Sequence, residues 1–293
     1  MIAFYFYILF YILFYVLWRK TMRFLSVLGL FCLSLTVNAA QLSEVKLNPS
    51  DQAKWLKFIY PAGKISKVDN QTVQSFWAIP ANLKRDFKDA HSGKYALSQF
   101  YKAFLIDDSS EKRLVFLTNN AKGGDNFNSA KESQECHGCA GVLGMTIITL
   151  TPKPKVVAHR PVVTQIGGWG QLPTESQLIQ VAPNRYALKF LGGFTQSGIT
   201  VEGISLIDMQ SLREILTETV SEDNSGNCTE DDKNCVYHYD SRFKVLTTQP
   251  PNAGYYPIEI ESNGTIHDER LNKIVNYHVR KIFRYNGKQY TTK

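Results

Sequence analysis

The stretch that decides the fold class is YHVRKIFRYNGKQYTT, residues 277–292. Apolar and aromatic side chains alternate in its first half, with Lys281 as the one break, which predicts a strand with one buried face: Tyr277, Val279, Phe283 and Tyr285. Asn286-Gly287 tolerates positive φ at both positions and therefore predicts a tight type I′ turn. Because residues 288–292 then return as a second strand, we expect an antiparallel hairpin.

A second Asn-Gly pair and several short β-rich runs extend this reasoning. Asn263-Gly264 separates residues 258–261 from residues 265–266, which predicts another tight hairpin. Further strands are predicted between turn residues, over 113–118, 145–151, 178–181 and 186–190. In the last of these, alternation predicts one buried face: Tyr186, Leu188 and Phe190. Regular strand–helix alternation is lacking. We therefore expect a mainly antiparallel β (or α+β) protein, as a sandwich, barrel or meander.

The region over residues 40–92 has a mixed or helical pattern instead. Pro49-Ser50 predicts a helix start with Ser50 as the N-cap. Residues 80–90 predict a second short helix, because Leu83 and Phe87 are four apart and share one face. The fold is therefore expected to begin with a short helical subregion.

Residues 22–39 have the order of features found in a secretory signal peptide. Arg23 supplies the positive charge, residues 24–37 are almost wholly apolar, and Val37 and Ala39 place small residues at the −3 and −1 positions of a cleavage site. Cleavage after Ala39 would leave residues 40–293 as the mature β-rich domain. The sequence therefore predicts a periplasmic or secreted protein.

The upstream segment, residues 1–21, admits two interpretations. Its apolar run from Ile2 to Trp18 is close to the minimum of about 17 residues for a membrane-spanning helix, and Arg19 and Lys20 follow it. The alternative is an upstream mis-start, with translation beginning at Met22. We favour the mis-start, because Met22-Arg23 already begins a complete signal peptide. Membrane attachment is expected only if residues 1–21 are translated and retained.

Bulk composition describes an ordinary globular surface. Removing the first 39 of 293 residues leaves 254, which is enough for a sizeable core. The removed part carries three bases and no acid, so the net charge falls from +7 to +4. The remaining bases are scattered singly or in twos. This pattern argues against nucleic acid as a partner.

Four cysteines remain in the mature chain, as two local pairs: Cys136 with Cys139, and Cys228 with Cys235. Four cysteines allow three connectivities, which sequence cannot distinguish. We favour the two local disulfides, because both intervening loops are short and rich in residues that bend. Thiol–disulfide exchange is the alternative for the first pair, since His137 between the cysteines can stabilise a thiolate. A four-cysteine zinc site is disfavoured in an oxidising compartment.

The segment Cys136-His137-Gly138-Cys139, followed by Gly141, Leu143, Gly144 and a strand, resembles a Cys-His-x-Cys pattern of uncharacterised exported proteins of Gram-negative bacteria. The match covers about ten residues by this motif. Gly168-Trp169-Gly170 and the hairpin at residues 183–186 are similar to parts of the same pattern. The resemblance implies export and carries no activity.

Other catalytic chemistry has little support. No metalloprotease, nucleophile-elbow or phosphate-loop motif occurs. His238 beside Asp240, and His267 before Asp268-Glu269, could act as bases, because a carboxylate orients an imidazole. The oxygen-rich segment 222–232 lacks the glycine and glutamate spacing of an EF-hand, so we interpret it as a solvated loop.

The leading functional hypothesis is a non-enzymatic binding or envelope role for an exported protein. Its partner would be an envelope or extracellular component, and neither a cofactor nor a metal is expected. A redox protein using Cys136 and Cys139 is the first alternative. A periplasmic hydrolase with a dispersed site, using His238 or His267, is the second.

Overall fold

The computed structural model describes residues 41–84, 93–107, 111–120, 124–128, 140–229 and 235–292. These residues form one helix, α1 (Pro49–Ile59), and fifteen strands in two antiparallel sheets. Sheet A contains β1 (Gln41–Glu44), β2 (Lys64–Lys67), β3 (Val73–Ala78), β4 (Tyr95–Asp107), β5 (Lys112–Asn120), β6 (Gly141–Thr149) and β7 (Lys155–Ile166). Sheet B contains β8 (Glu175–Ala182), β9 (Arg185–Gln196), β10 (Ile199–Asp208), β11 (Arg213–Asp223), β12 (His238–Val245), β13 (Ile258–Asp268), β14 (Lys273–Tyr285) and β15 (Tyr290–Thr292).

Both sheets are meanders, in which each strand pairs with its neighbour in the sequence. Sheet A runs in the order β2 to β7, and sheet B runs from β8 to β15. β1 is the exception, because it pairs with β4 on the edge that β3 also uses. β3 pairs with residues 95–99 and β1 with residues 104–107. The prediction of a mainly antiparallel β protein is confirmed.

The central strands β5 and β6 of sheet A bury both of their faces. In β5, Leu114 and Phe116 pack toward α1, whereas Val115 and Leu117 pack toward sheet B. All four are at most 4 % exposed. A strand between two cores has no need for the alternation of apolar and polar residues, which explains its nearly continuous apolar sequence.

Sheet B also separates two cores, because its second half folds over its first. Tyr186, Leu188 and Phe190 form one buried face, as predicted, and this face packs against sheet A, but Ala187 on the opposite face is buried too. The cluster around Ala187 combines residues of β8–β11 with residues of β13–β15. β12 pairs with β11 only over residues 221–223. One face of β12–β14 is therefore buried, and the other is left to solvent.

The N-terminal region contains less helix than expected. α1 begins at Pro49, but its N-cap is Asn48, whose Oδ1 accepts a hydrogen bond of 2.9 Å from Asp51 N. Asn48 lies directly before a proline at the first helical position, which is the preferred arrangement, so the assignment of Ser50 was wrong. Three strands, β1 to β3, share the region with α1. Of the helix predicted over residues 80–90, Ala81–Leu83 form one 3₁₀ turn, and residues 85–90 lie outside the described residues.

The two Asn-Gly pairs have different outcomes. Asn286-Gly287 does form the hairpin turn between β14 and β15, with Asn286 N donating to Gln289 O at 3.0 Å. Because Asn286 and Gln289 are the ends of this turn, its central residues are Gly287 and Lys288. Only Gly287 has positive φ, 95°, as in a type II′ turn with glycine first rather than the predicted type I′ turn. The turn predicted at Asn263-Gly264 is wrong, because both residues lie inside β13.

Gly264 instead allows a close approach of two strands. Its φ is 146°, and a Cβ on it would lie 2.2 Å from the carbonyl oxygen of His238 in β12. The chain turns later, after Asp268, whose carboxylate accepts hydrogen bonds from the backbone of Arg270 and Leu271. The β10–β11 hairpin uses the same device, since Asp208 Oδ2 accepts from Ser211 N at 2.7 Å.

Candidate functional site

The predicted cysteine pairs differ in what the structure describes. Cys228 and Cys235 form a disulfide, with Cα atoms 5.7 Å apart, which confirms the second pair. Disulfides are typical of proteins that fold in oxidising compartments. Cys136, His137 and Cys139 lie outside the described residues. The first disulfide and the redox hypothesis therefore stay predictions.

The Cys228–Cys235 disulfide spans the connection between β11 and β12, and the side chain of Asn224 bridges the same connection by hydrogen bonds. The Asn224 side chain is buried, donates to Cys235 O at 2.9 Å, and accepts from Tyr237 N at 2.7 Å. Its own carbonyl accepts from Asn227 N at 2.8 Å. These contacts fix the end of β11 relative to the start of β12. β12 begins at His238, the residue after Tyr237.

His238 lies between two carboxylates on the exposed face of sheet B. Its Nε2 is 2.8 Å from Asp240 Oδ2, and its Nδ1 is 3.8 Å from Asp223 Oδ2. Hydrogen bonds from His238 and then Ser221 lower the pKa of Asp240. The pKa of Asp223 is lowered first by the backbone N–H of Ser225. The imidazole is therefore oriented by acids, as the sequence predicted.

This arrangement is not that of an activated serine. Ser221 bonds to Asp240, whereas a nucleophilic serine would have to bond to the imidazole itself. The other predicted base is His267. The carboxylate of the next residue, Asp268, bonds to the backbone of the turn that follows, so it does not orient the imidazole of His267. The hydrolase hypothesis gains an oriented histidine at position 238, but the serine beside it, Ser221, is bonded to Asp240 instead of the imidazole.

Beside His238, the solvent face of sheet B carries a cleft of about 450 Å³, which we call the outer-face cleft. It is lined by Asp240, Ser241, Arg242, Glu261 and Asn263. The register of three strands assembles it: Asp240 pairs with Asn263, and Arg242 pairs with Glu261. His278 and Arg280 of β14 stand opposite Asn263 and Glu261.

Charges around the outer-face cleft are unevenly matched. Arg280 Nε donates to Glu259 Oε2 at 2.7 Å, and His278 contacts Asn263 Oδ1 through its Nδ1. Arg242 makes no ion pair or side-chain hydrogen bond with any residue in the described ranges. The cleft therefore presents a guanidinium with its donors available, beside oxygen acceptors from Asp240, Glu261 and Asn263.

The inward side of the same strands explains why Lys281 breaks the apolar alternation of residues 277–285. Lys281 interrupts the apolar face of β14 because its Nζ pairs with Glu218 Oε1 at 2.5 Å. Nearby, Tyr237 donates to Glu222 Oε1 at 2.7 Å, and this bond raises the pKa of Tyr237 to about 12. Burial raises the pKa of Tyr239 to about 12 as well. Lys281 and Glu218 are therefore already paired within the protein, and Glu222 is bonded to Tyr237.

A second cavity, of about 410 Å³, lies between the β1–α1 connection, the β2–β3 turn and a bulge in β4. Its polar groups are largely occupied. Gln52 donates to Leu47 O and Gln71 O and accepts from Val73 N. Lys102 donates to Thr174 O and Ser176 Oγ. The outer-face cleft is therefore the better candidate for binding a ligand.

Sequence reasoning identified His238 and Asp240 but missed Arg242, Glu261 and Asn263. The available signal was the alternation of β12, in which polar residues occupy every second position: His238, Asp240, Arg242 and Lys244. This alternation predicts a strand with one side facing solvent, but it does not indicate which residues of β13 lie opposite.

Among the described residues, no group of three or more His, Cys, Asp or Glu side chains is placed to hold a metal ion. The helix in the described ranges is too short and too polar to cross a membrane. No family model matches the chain, and neither the curated proteins nor the solved structures compared with it include a match.

Proposed function

We propose that residues 40–293 are an exported, non-enzymatic binding protein of the periplasm or the extracellular space, and that the outer-face cleft binds an acidic saccharide. The observation that carries this proposal is the guanidinium of Arg242. It forms no ion pair with the residues that the structure describes, and it lies in a cleft otherwise lined by oxygen acceptors. The signal peptide predicted over residues 22–39 and the Cys228–Cys235 disulfide support export.

The chemistry of the lining favours this class of ligand. A guanidinium binds a carboxylate or phosphate through two parallel hydrogen bonds. Asp240 and Glu261 would repel a second anion, but they accept hydrogen bonds from hydroxyl groups. Asn263 can do the same through its amide oxygen. A sugar unit with one acidic group and several hydroxyls presents this combination.

Electrostatics alone would make Arg242 a weak site, since an exposed ion pair is worth about 0–1 kcal/mol. Binding therefore needs the hydrogen bonds of all the lining groups together. The rigid strands β12 and β13 hold these groups in a fixed register, so that little conformational entropy is lost when a ligand binds. We expect affinities in the range typical of single sugar sites, with strong dependence on Arg242.

The direct test is a titration of the mature protein with a glucuronic acid oligosaccharide and with the neutral glucose oligosaccharide of the same length. We expect saturable heat of binding and amide shifts in β12 and β13 for the acidic ligand only. Arg242→Ala should weaken the binding at least about tenfold, because it removes the charge-assisted hydrogen bonds to the acidic group. Lys244→Ala is the matched control, because it removes a cation two residues along the same exposed strand, outside the cleft.

Either of two results would refute the proposal: no saturable binding of the acidic ligand, or equal binding by Arg242→Ala and the unaltered protein. The export component is tested separately by the intact mass of the protein recovered from the envelope. A mass beginning at Ala40, with four cysteines blocked until reduction, is expected. A mass that includes residues 1–21 would indicate a membrane-anchored protein instead.

A further inference from the structure

Between α1 and sheet A, a group of neutral polar side chains lies inside the apolar core. Ser75, Ser98 and Asn120 pair across β3, β4 and β5 and form one row. Thr118 lies two residues before Asn120 on the same strand. Tyr60, at the end of α1, stacks on Trp77 with ring centroids 4.5 Å apart. We call Tyr60, Ser75, Ser98, Thr118 and Asn120 the helix-side polar cluster.

Three oxygens of this cluster lack hydrogen-bond partners among the described residues: Tyr60 Oη, Ser75 Oγ and Asn120 Oδ1. The three residues are 6 %, 0 % and 1 % exposed. Burial raises the pKa of Tyr60 to about 12, although Ser98, Thr118 and Asn120 lie near its hydroxyl. A buried polar group without a partner is costly, and three in one place call for an explanation.

The orientation of Asn120 is determined by its neighbours. Its Nδ2 donates to the carbonyl of Pro161 at 2.5 Å, and a carbonyl can only accept. Rotating the amide would place two acceptors against each other. Asn120 Oδ1 must therefore face the cluster. On the other side, Gly144 lets Thr118 and Asn120 pack closely against the backbone of β6, since a Cβ there would lie 2.4 Å from Thr118 Oγ1.

The cluster carries no charged side chain, which excludes an ion as its ligand on energetic grounds. His159 borders the cluster, and its ring contacts that of Tyr60 with centroids 5.5 Å apart. His159 bonds to Thr146 through Nδ1 at 2.9 Å. Burial lowers the pKa of His159 to about 4, so it is neutral at physiological pH. Only a small, neutral molecule that both donates and accepts hydrogen bonds suits these surroundings.

We infer that internal water binds in the helix-side polar cluster, bridging Tyr60 Oη and Asn120 Oδ1 and extending along the row toward Ser75. Such a water donates to the amide oxygen, which can only accept, and exchanges a hydrogen bond with the phenol. Ser98 accepts from Trp77 Nε1 at 2.8 Å and retains its own proton for the network. Because Asn120 is the last residue of β5, the water would also hold the strand end that leads toward residues 121–139.

The sign of one substitution tests this inference. If water satisfies the Tyr60 hydroxyl, Tyr60→Phe loses a hydrogen bond and should lower the folding equilibrium constant about fivefold. If the site is dry, the same substitution removes an unsatisfied group and should leave the constant unchanged or raise it. Tyr290→Phe is the control, because its hydroxyl donates to Tyr256 O at 2.9 Å. We expect both variants to be destabilised alike.

Water–protein cross-relaxation measured by NMR supplies the second readout. A long-lived water should give a cross-peak to the side-chain amide protons of Asn120, and Tyr60→Phe should weaken it. A folding constant that Tyr60→Phe leaves unchanged or raises would overturn the inference. So would the absence of a cross-peak at Asn120 in the unaltered protein.

Discussion

Burial of His159 predicts a loss of stability in mild acid. Its pKa is lowered from 6.5 to about 4 in the folded protein. Between these values the unfolded chain binds the proton and the folded protein does not. The free energy of unfolding must therefore fall as the pH drops from about 6.5 to about 4. A shift of this size corresponds to about 3 kcal/mol in total.

The comparison that isolates this effect uses two pH values and one variant. Between pH 7 and pH 4.5 the linkage relation gives a loss of about 2 kcal/mol from His159. His159→Asn keeps a group that can bond to Thr146 but removes the titration. In urea denaturation, the free energy of unfolding should fall between pH 7 and pH 4.5, and this fall should be about 2 kcal/mol smaller in His159→Asn than in the unaltered protein.

Other ionisable groups act in a different window. Asp69, Asp223 and Asp240 have lowered pKa values, so their stabilising contribution is lost only as the pH falls through and below 3.8. His278, with 66 % of its side chain exposed, is the control position. Equal pH dependence in His159→Asn and the unaltered protein would refute the assignment, and so would an equal change in His278→Asn.

Three further predictions concern the backbone and the cysteines. Gly264→Ala should lower the free energy of unfolding by about 3 kcal/mol, because a Cβ would meet the backbone of β12; urea denaturation with an unchanged midpoint would contradict this. Cys228→Ser should lower the free energy of unfolding by about 2 kcal/mol, the entropy of the short loop it opens, and should shift the amide signal of His238. Amide shifts confined to distant strands would contradict the conclusion that this connection and Asn224 together fix the start of β12. Replacing Cys136 and Cys139 by serine should leave insulin-reduction activity at background, whereas activity in the unaltered protein that these changes abolish would favour the redox alternative.

The Asn-Gly pairs show where local sequence is sufficient for prediction and where it is not. Asn286-Gly287 turns between strands that alternate, and the Asn286 side chain accepts hydrogen bonds from the backbone of Lys288 and Gln289 within the turn. Asn263-Gly264 has the same turn chemistry, but its glycine is needed so that β13 can pass close to His238 of β12. This requirement comes from a strand about 25 residues away in the sequence, by the register of the sheet, and a local pattern cannot contain it.

The candidate site follows the same division. His238 and Asp240 are close in the sequence, so their contact could be predicted from spacing. Arg242 and Glu261 are brought together by the register of β12 and β13, which depends on a long connection between them. The helix-side polar cluster was missed for a different reason. Ser98, Thr118 and Asn120 look like surface residues of half-exposed strands, and only α1 and Tyr60 convert their face into an interior.

The meander order of both sheets has a consequence for how the chain acquires its structure. Nearly every ladder joins strands that are adjacent in the sequence, so each new strand finds its partner already present. Closing short loops costs little entropy, and topologies of this kind fold faster than sheets assembled from distant segments. Because the N-terminal part of the chain is made first, sheet A can therefore form strand by strand. β1 is the one described strand that must wait, because its partner β4 arrives about fifty residues later. Until then the backbone hydrogen-bonding groups of β1 and its one apolar residue, Leu42, lack their partners in the fold, and this interval is the period in which aggregation or capture by a chaperone is most expected.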